Sequence, residues 1–288
     1  MKNTIQRLFL IAMVLGLSGC GGGSSPGEVS PIVTPPVGGL PADYTLVWAD
    51  EFDVDGLPDP TRWDYDTSAN STGWYNNELQ YYAAGRLENS QVANGKLIIT
   101  ARKEALTTMP DYGGQNYTSA RLVTRGKASW TYGFMEIRAK LPCGVGSWPA
   151  IWMLGTHGTW PGDGEIDIME QVGKDPTTIH GTIHTQSTFN TVGGLGNGST
   201  TTLTDACTQF HNYQLTWTAQ SLSIGVDNQI YHTYVNRGLG NLSWPFDNPQ
   251  YLLLNIAIGG NFGGPIVDDN IFPIQMEVDY VRIYQKNI

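Results

Sequence analysis

From Asp43 onward the chain offers hardly any stretch with helical period, and this most limits what it can fold into. It is instead divided into short runs: KLIITARK, GFMEIRAKL, PAIWML, EIDIME, TIHGTIHT, YQLTWTA, SLSIGVD, YLLLNIAIG and MEVDYVRIY. Each is rich in Val, Ile, Thr, Tyr or Trp and lies between clusters of Gly, Pro, Asn and Asp. β-Branched and aromatic side chains suit a pleated surface, and the intervening residues suit tight turns. Several runs alternate. In GFMEIRAKL, Phe134, Glu136, Arg138 and Lys140 fall opposite Met135, Ile137, Ala139 and Leu141, which predicts one wet face and one core face. The pattern predicts an all-β, antiparallel sandwich or barrel with no internal repeat.

The run GDGEIDIMEQ, residues 162 to 171, carries Asp163, Glu165, Asp167 and Glu170. Strict alternation places Asp163, Glu165 and Asp167 on one face, Ile166 and Ile168 on the other, and Glu170 with the isoleucines. An unpaired carboxylate in a core costs several kcal/mol. One extra residue at Ile168-Met169, a β-bulge, returns Glu170 to the face of the other acids. Three like charges then share one face, with the backbones of Glu165 and Glu170 about four strand steps, or roughly 13 Å, apart. Glutamate side chains leaning inward would approach the ~5–5.5 Å separation of a retaining glycosidase pair, one as nucleophile and one as acid/base. Asp167 between them would hydrogen-bond one and keep their pKa values apart. The competing readings are a solvated acidic strand and calcium ligation, although the DxDxDG loop with a Glu at its twelfth position is absent.

The neighbouring sequence favours catalysis. GSWPAIWMLG places Trp148 and Trp152 on one strand face, with Ile151 and Met153 on the other. Tryptophans in a cleft are flat platforms for sugar rings, and the chain has nine, with fourteen tyrosines. In TIHGTIHT, His180, Thr182 and His184 share a face.

GEIDIMEQVG, with GSWPAIWMLG before it, GTIHT after it and WYNNELQYY upstream, resembles glycoside hydrolase family 16, and within it the bacterial endo-β-1,3-glucanases called laminarinases. The similarity runs from LVWADEFD at Leu46 to MEVDYVRIY at Tyr284. The resemblance implies a jelly-roll β-sandwich with a concave substrate cleft. It implies Glu165 as nucleophile, Asp167 as its helper and Glu170 as acid/base, with no cofactor for catalysis. The six-residue E-I-D-I-M-E form, with its extra Met, resembles the β-1,3-glucanase branch. Asn76, Arg121, Trp148, Trp152 and His184 match positions that line the sugar cleft in relatives. Glu51, Gly95 (through its carbonyl) and Asp279 match a structural calcium site. The segment from Thr188 to Cys207, rich in Gly, Thr and Asn, departs from the pattern and leaves chain-length preference open. The implied activity is retaining endo-hydrolysis of β-1,3-glucan. The alternatives are an enzyme for mixed-linkage glucan or agarose, and a non-catalytic glucan-binding protein on the same fold, which would have lost one glutamate.

Residues 1–20 read as a signal peptide, with Lys2 and Arg7 ahead of the apolar run Leu8 to Leu17, which is too short to span a bilayer. Leu17-Ser18-Gly19-Cys20 resembles the lipobox of bacterial lipoproteins, making Cys20 the lipidated residue of a cell-envelope protein. Ordinary secretion is the alternative. Residues 21–42, dominated by Gly, Ser and Pro, read as a tether reaching roughly 25 to 70 Å, and 43–288 as the catalytic domain. The chain's formal charge is −10, and −12 once residues 1–20, which carry two basic and no acidic residues, are removed. Such a surface repels phosphate backbones and sulfated polymers, so nucleic acid is excluded as a partner and a neutral β-glucan favoured. The chain is read as a monomer. With Cys20 lipidated, Cys143 and Cys207 remain as an even pair, expected to form a disulfide in an oxidising compartment, two separate buried thiols being the alternative.

Overall fold

The computed structural model describes residues 40–191 and 196–287. The signal peptide, Cys20 and nearly all of the tether lie outside the described residues. The first strands are β1 (Tyr44–Asp50), β2 (Asp64–Tyr65), β3 (Gln80–Tyr82), β4 (Ser90–Val92), β5 (Leu97–Lys103), β6 (Tyr117–Ser119) and β7 (Arg121–Val123). The central ones are β8 (Gly133–Lys140), β9 (Ser147–Gly155), β10 (Glu165–Val172), β11 (Asp175–His184) and β12 (Asn197–Thr202). The last are β13 (His211–Trp217), β14 (Ser221–Val226), β15 (Gln229–Val235), β16 (Gln250–Ile258) and β17 (Ile274–Lys286).

These strands form two sheets. One has ten strands, in the path β15-β14-β13-β8-β17-β5-β6-β3, with β1 also on β17 and β4 also on β5. The other has seven, in the order β12-β11-β10-β9-β16-β7-β2. Pairings are antiparallel except β3 with β6. The protein is a jelly-roll β-sandwich, as the alternation and turn spacing predict. Its core is the inner faces of the two sheets: Ile151, Met153, Ile166 and Ile168 from one meet Met135, Ile137, Leu215 and Ile224 from the other in one cluster.

Two strands depart from simple alternation, for one physical reason. In β8, Glu136, Arg138 and Lys140 face out as predicted, but Phe134 is only 5% exposed. The ring of Tyr284 on the neighbouring β17 covers it at 6.0 Å. All nine residues of β16 are buried. Its outer face is shielded by a second cluster in which Tyr251 and Leu253 pack with Val123, Trp152 and Leu154. A strand's period sets its two faces, while the neighbours decide which faces are wet.

Cys143 and Cys207 are joined in a disulfide, with Cα atoms 5.8 Å apart. It ties the segment after β8 to the segment before β13, where Leu141 N–H also donates to Ala206 O at 2.9 Å. With 64 residues separating the cysteines, loop-closure entropy predicts about 4 kcal/mol of stabilisation. The Cys143→Ser/Cys207→Ser double variant is therefore expected to unfold at a clearly lower urea midpoint than the oxidised parent. An unchanged midpoint under non-reducing conditions would remove that contribution.

Candidate active site

β10 carries the site, and its register explains how. Against β9, Asp167 pairs with Trp152 but Met169 already pairs with Ile151. Against β11, Asp167 pairs with Thr182 and Glu170 with His180. Three steps on β10 thus match two on each neighbour, which is the bulge expected from the acidic run. Ile168 and Met169 both enter the core at 0% exposure, and Glu170 returns to the outer face. Glu165 pairs with Leu154 and Glu170 with Ala150, so the glutamates stand four strand steps apart. Asp163 is not part of the row. It precedes the strand, and its carboxylate accepts from Thr159 N at 3.1 Å to close the turn before it. Gly164, at φ 79°, meets the ring of Phe246 where any Cβ would sit, so only glycine leads the chain into Glu165 this way.

Each carboxylate has its own partner. Glu165 accepts from the indole N–H of Trp160. Asp167, 2% exposed, pairs with His184 Nε2 at 3.2 Å and hydrogen-bonds Glu165. Glu170 accepts from Trp148 Nε1 at 2.9 Å. Burial, then the charge of Glu165, pushes the Asp167 carboxyl well above its ordinary range. Burial, then the charge of Asp167, does the same to Glu170, against the opposing hydrogen bond from Trp148. Glu170 therefore holds its proton more tightly than an ordinary glutamate, the direction a general acid requires. One ligand atom each from Glu165, Asp167 and His184 lie within 4.8 Å of one another, the one His/Cys/Asp/Glu grouping of metal-binding kind among the described residues. It coincides with the groups needed for nucleophilic and proton chemistry.

Of the predicted binding residues, Arg121, Trp148, Trp152 and His184 share the sheet face of the acids. Trp152 is partly exposed on this face. Its indole N–H donates to Asn255 Oδ1 at 2.7 Å. Trp148, 8% exposed, serves chiefly to hold Glu170, with Phe262 edge-on at 5.4 Å. Arg121 was expected to meet substrate, but it is only 7% exposed. Its guanidinium lies 4.7 Å from the Trp152 ring centre and 5.1 Å from that of Trp74, with Nε 3.3 Å from Asp66. It is thus held between the two indole rings and the Asp66 carboxylate. Asn76 is exposed in a left-handed turn at φ 57°. His184 stands beside Asp167, 6.3 Å from Trp160.

Sequence reasoning missed Trp160 and Asn255. A tryptophan five residues before the first glutamate gives no periodic signal, because it lies in a loop. Asn255 does leave a mark: it is the lone polar residue in the apolar run YLLLNIAI.

The residues as placed do not offer a calcium cradle. Both carboxylate oxygens of Glu51 accept from Arg282, at 2.8 Å each, and Asp279 accepts from Arg138 at 2.6 Å. Gly95, at φ 69°, lies in the turn between β4 and β5. A calcium ion bound by this set would have to displace both guanidinium groups.

The sequence pattern of glycosyl hydrolases family 16 matches residues 75–282. The chain belongs to glycoside hydrolase family 16. A β-glucanase of Rhodothermus marinus is 46% identical over 297 residues, covering 99% of this chain and 96% of that protein. The solved structure of a non-specific endo-β-1,3(4)-glucanase of family 16 superposes with TM-score 0.84 at 58% identity, covering 86% of this chain and 97% of that one. The laminarinase from Rhodothermus marinus gives TM-score 0.79 at 49% identity, covering 85% and 98%. As a family 16 hydrolase, the chain presents its acidic strand to β-glucan from the outer face of the seven-stranded sheet.

Asp167 is where catalysis and stability oppose each other in this family 16 site. A carboxyl whose pKa is raised by folding binds more protons folded than unfolded. Its stability contribution is therefore largest below the ordinary aspartate pKa of about 3.9 and is lost as pH rises through the folded value. Asp167→Asn removes a like charge from the array. It is expected to raise stability by about 1 kcal/mol at neutral pH, with the gain vanishing below about pH 4, while kcat falls. Melting temperature of parent and variant across pH checks this, and a gain that grows toward acid pH would contradict it.

Proposed function

We propose that the chain is a retaining endo-hydrolase of β-1,3-glucan. The observation that carries this reading is the bulged strand, which sets Glu165 and Glu170 on one face in different environments. Glu165, beside the Trp160 N–H, attacks the anomeric carbon while Glu170 gives its proton to the leaving oxygen. The resulting glycosyl ester is then hydrolysed by water that Glu170 deprotonates, so configuration is retained. Asp167 hydrogen-bonds Glu165 and buffers the charge between the two. Trp152 stacks a sugar ring, and the acidic surface suits a neutral polymer.

A second reading extends the substrate to mixed-linkage β-1,3(4)-glucan. It is supported by 58% identity to an enzyme described as non-specific for β-1,3(4)-glucan. Product profiles on laminarin, lichenan and agarose side by side separate the cases. Cleavage of laminarin alone gives the first reading, of laminarin and lichenan the second, and of neither removes both. Proton NMR of the first-formed anomer tests retention.

The reading places the enzyme on the bacterial cell envelope as a monomer, anchored through lipid on Cys20 and held off the membrane by residues 21–42. Mass spectrometry of the mature protein in the membrane fraction would give diacylglyceryl cysteine at its N-terminus. A free N-terminus in soluble protein would oppose it. A calcium ion at Glu51, Gly95 and Asp279 remains part of this reading only if calcium raises the melting temperature of the chelator-treated protein.

A further inference from the structure

We propose that Phe262, in the GGNFGG turn that follows β16, is a positioning residue for the acid Glu170 and acts through Trp148. The proposal rests on the reading of Glu170 as the proton donor. The two neighbouring strands bracket that carboxyl. On β9, Trp148 donates its indole N–H to Glu170 Oε1 at 2.9 Å. On β11, His180 is the direct cross-strand partner of Glu170 and shares its face. The ring of Phe262 reaches both. It stands 5.4 Å from the Trp148 ring at an interplanar angle of 89°, and 4.9 Å from the His180 ring at 83°. Edge-to-face contact of this kind is a favoured geometry for aromatic pairs. One phenyl ring thus spans the two residues that flank the acid. Trp148 packs with Val172 and Ala257 as well and is left 8% exposed.

The turn is built to hold that ring in place. Gly260 has φ 76°, and a Cβ there would lie 2.9 Å from Asn76 O, so glycine is required. Asn77 Nδ2 donates to Asn261 Oδ1 at 2.8 Å, and Gly264 N–H donates to Gly260 O at 2.9 Å, which closes the turn around Phe262. Fixing Trp148 matters for the proton. An indole N–H only donates, so it favours the acid proton on Oε2, the oxygen it does not hold. Without the Phe262 ring, the indole gains room to turn away from Glu170, and water gains access to the carboxyl between Trp148 and His180. Either change weakens proton delivery, and neither touches the nucleophile Glu165 at the far end of the row. Burial, against the charge of Asp175, lowers the His180 pKa, so at neutral pH that ring is uncharged and sets no cation beside the acid.

The test uses aryl β-laminaribiosides whose phenols differ in acidity, with kcat/KM plotted against phenol pKa. Only the leaving group's need for a proton changes along the series, so the slope measures proton delivery. Phe262→Ala is expected to lower kcat/KM about tenfold for the phenyl glycoside and less than about twofold for the dinitrophenyl one, which steepens the slope. Phe262→Tyr keeps the ring and is expected to keep the parent slope. In a Glu170→Ala background, Phe262→Ala is expected to add less than about twofold with any phenol, because the group it acts through is gone. A merely structural role, or a contact between Phe262 and the aglycone, would lower all members of the series alike. An unchanged slope in Phe262→Ala, or its full effect persisting without Glu170, overturns the proposal. Should Phe262→Ala fail to fold, Phe262→Leu fills the same place without a ring, and an unchanged slope there overturns it equally. A Glu170→Ala variant with the parent's slope would remove Glu170 as the acid and the proposal with it. A steep slope in Glu170→Ala beside an unchanged one in Phe262→Ala removes only the role of Phe262.

Discussion

Replacing Glu165 by Ser or Gly is expected to cut β-glucan hydrolysis by roughly 10⁴-fold or more, since no other group is in place to form the glycosyl ester. The variant should nevertheless join sugars. An α-glycosyl fluoride already has the anomeric configuration of the missing intermediate, and the shortened side chain leaves room for the fluorine. Glu170 remains to take the proton from an acceptor hydroxyl, which attacks the anomeric carbon as fluoride departs, giving a β-linked product. The environment of Glu165 supports this division of labour. It accepts an indole N–H from Trp160, a donor aimed at one carboxylate oxygen. Coupled product from the fluoride, together with lost activity on laminarin, is the expected pair of results. Substantial hydrolysis by Glu165→Gly would remove Glu165 as nucleophile.

Glu170→Ala is expected to separate substrates by leaving group. Natural glucan leaves as a poorly stabilised alkoxide and needs the proton that Glu170 supplies, so its cleavage should fall by about 10²–10⁴-fold. Aryl glucosides with acidic phenols need no proton and should still glycosylate the enzyme. Water, no longer activated, then attacks the ester slowly, and added azide should accelerate turnover, yielding the β-glycosyl azide. Azide rescue of the Glu165 variant should yield the α product instead, because azide then stands in for the nucleophile. Proton NMR of the two products decides the assignment, and interchanged anomers would reverse the roles of the glutamates. The raised Glu170 carboxyl, caused mainly by burial and by the Asp167 charge, is what keeps this acid loaded. In the Glu170→Ala variant the basic limb of the pH profile should flatten for aryl substrates.

The local part of this site was legible in the sequence because strand geometry is a short-range rule. Alternation fixes which residues of EIDIME share a face, and burial forbids an unpaired Glu170 in the core, so the bulge follows from ten residues. The same rule gave the outward row Glu136, Arg138 and Lys140 on β8, and cysteine arithmetic gave the pair Cys143 and Cys207. Phe134 was misjudged because alternation says nothing of what covers a face. Phe134 points outward and is still buried, under a tyrosine 150 residues later in the chain. Arg121 is likewise buried, between the rings of Trp74 and Trp152.

What the sequence by itself determined was therefore the sandwich, the turns and the alignment of three carboxylates, all consequences of period and of the cost of burying charge. Only the tertiary structure decided the partners that make those carboxylates unequal. Trp160 meets Glu165 from a loop, Trp148 meets Glu170 across a strand pair, and Asn255 bonds both Trp152, 103 residues away, and Tyr82, 173 residues away. The pairing of Glu51 with Arg282, 231 residues apart, was set in the same way. Contacts of this kind depend on which strands become neighbours and on how side chains fill the space between them. Strand period fixes neither, because it repeats every two residues and carries no record of distant sequence.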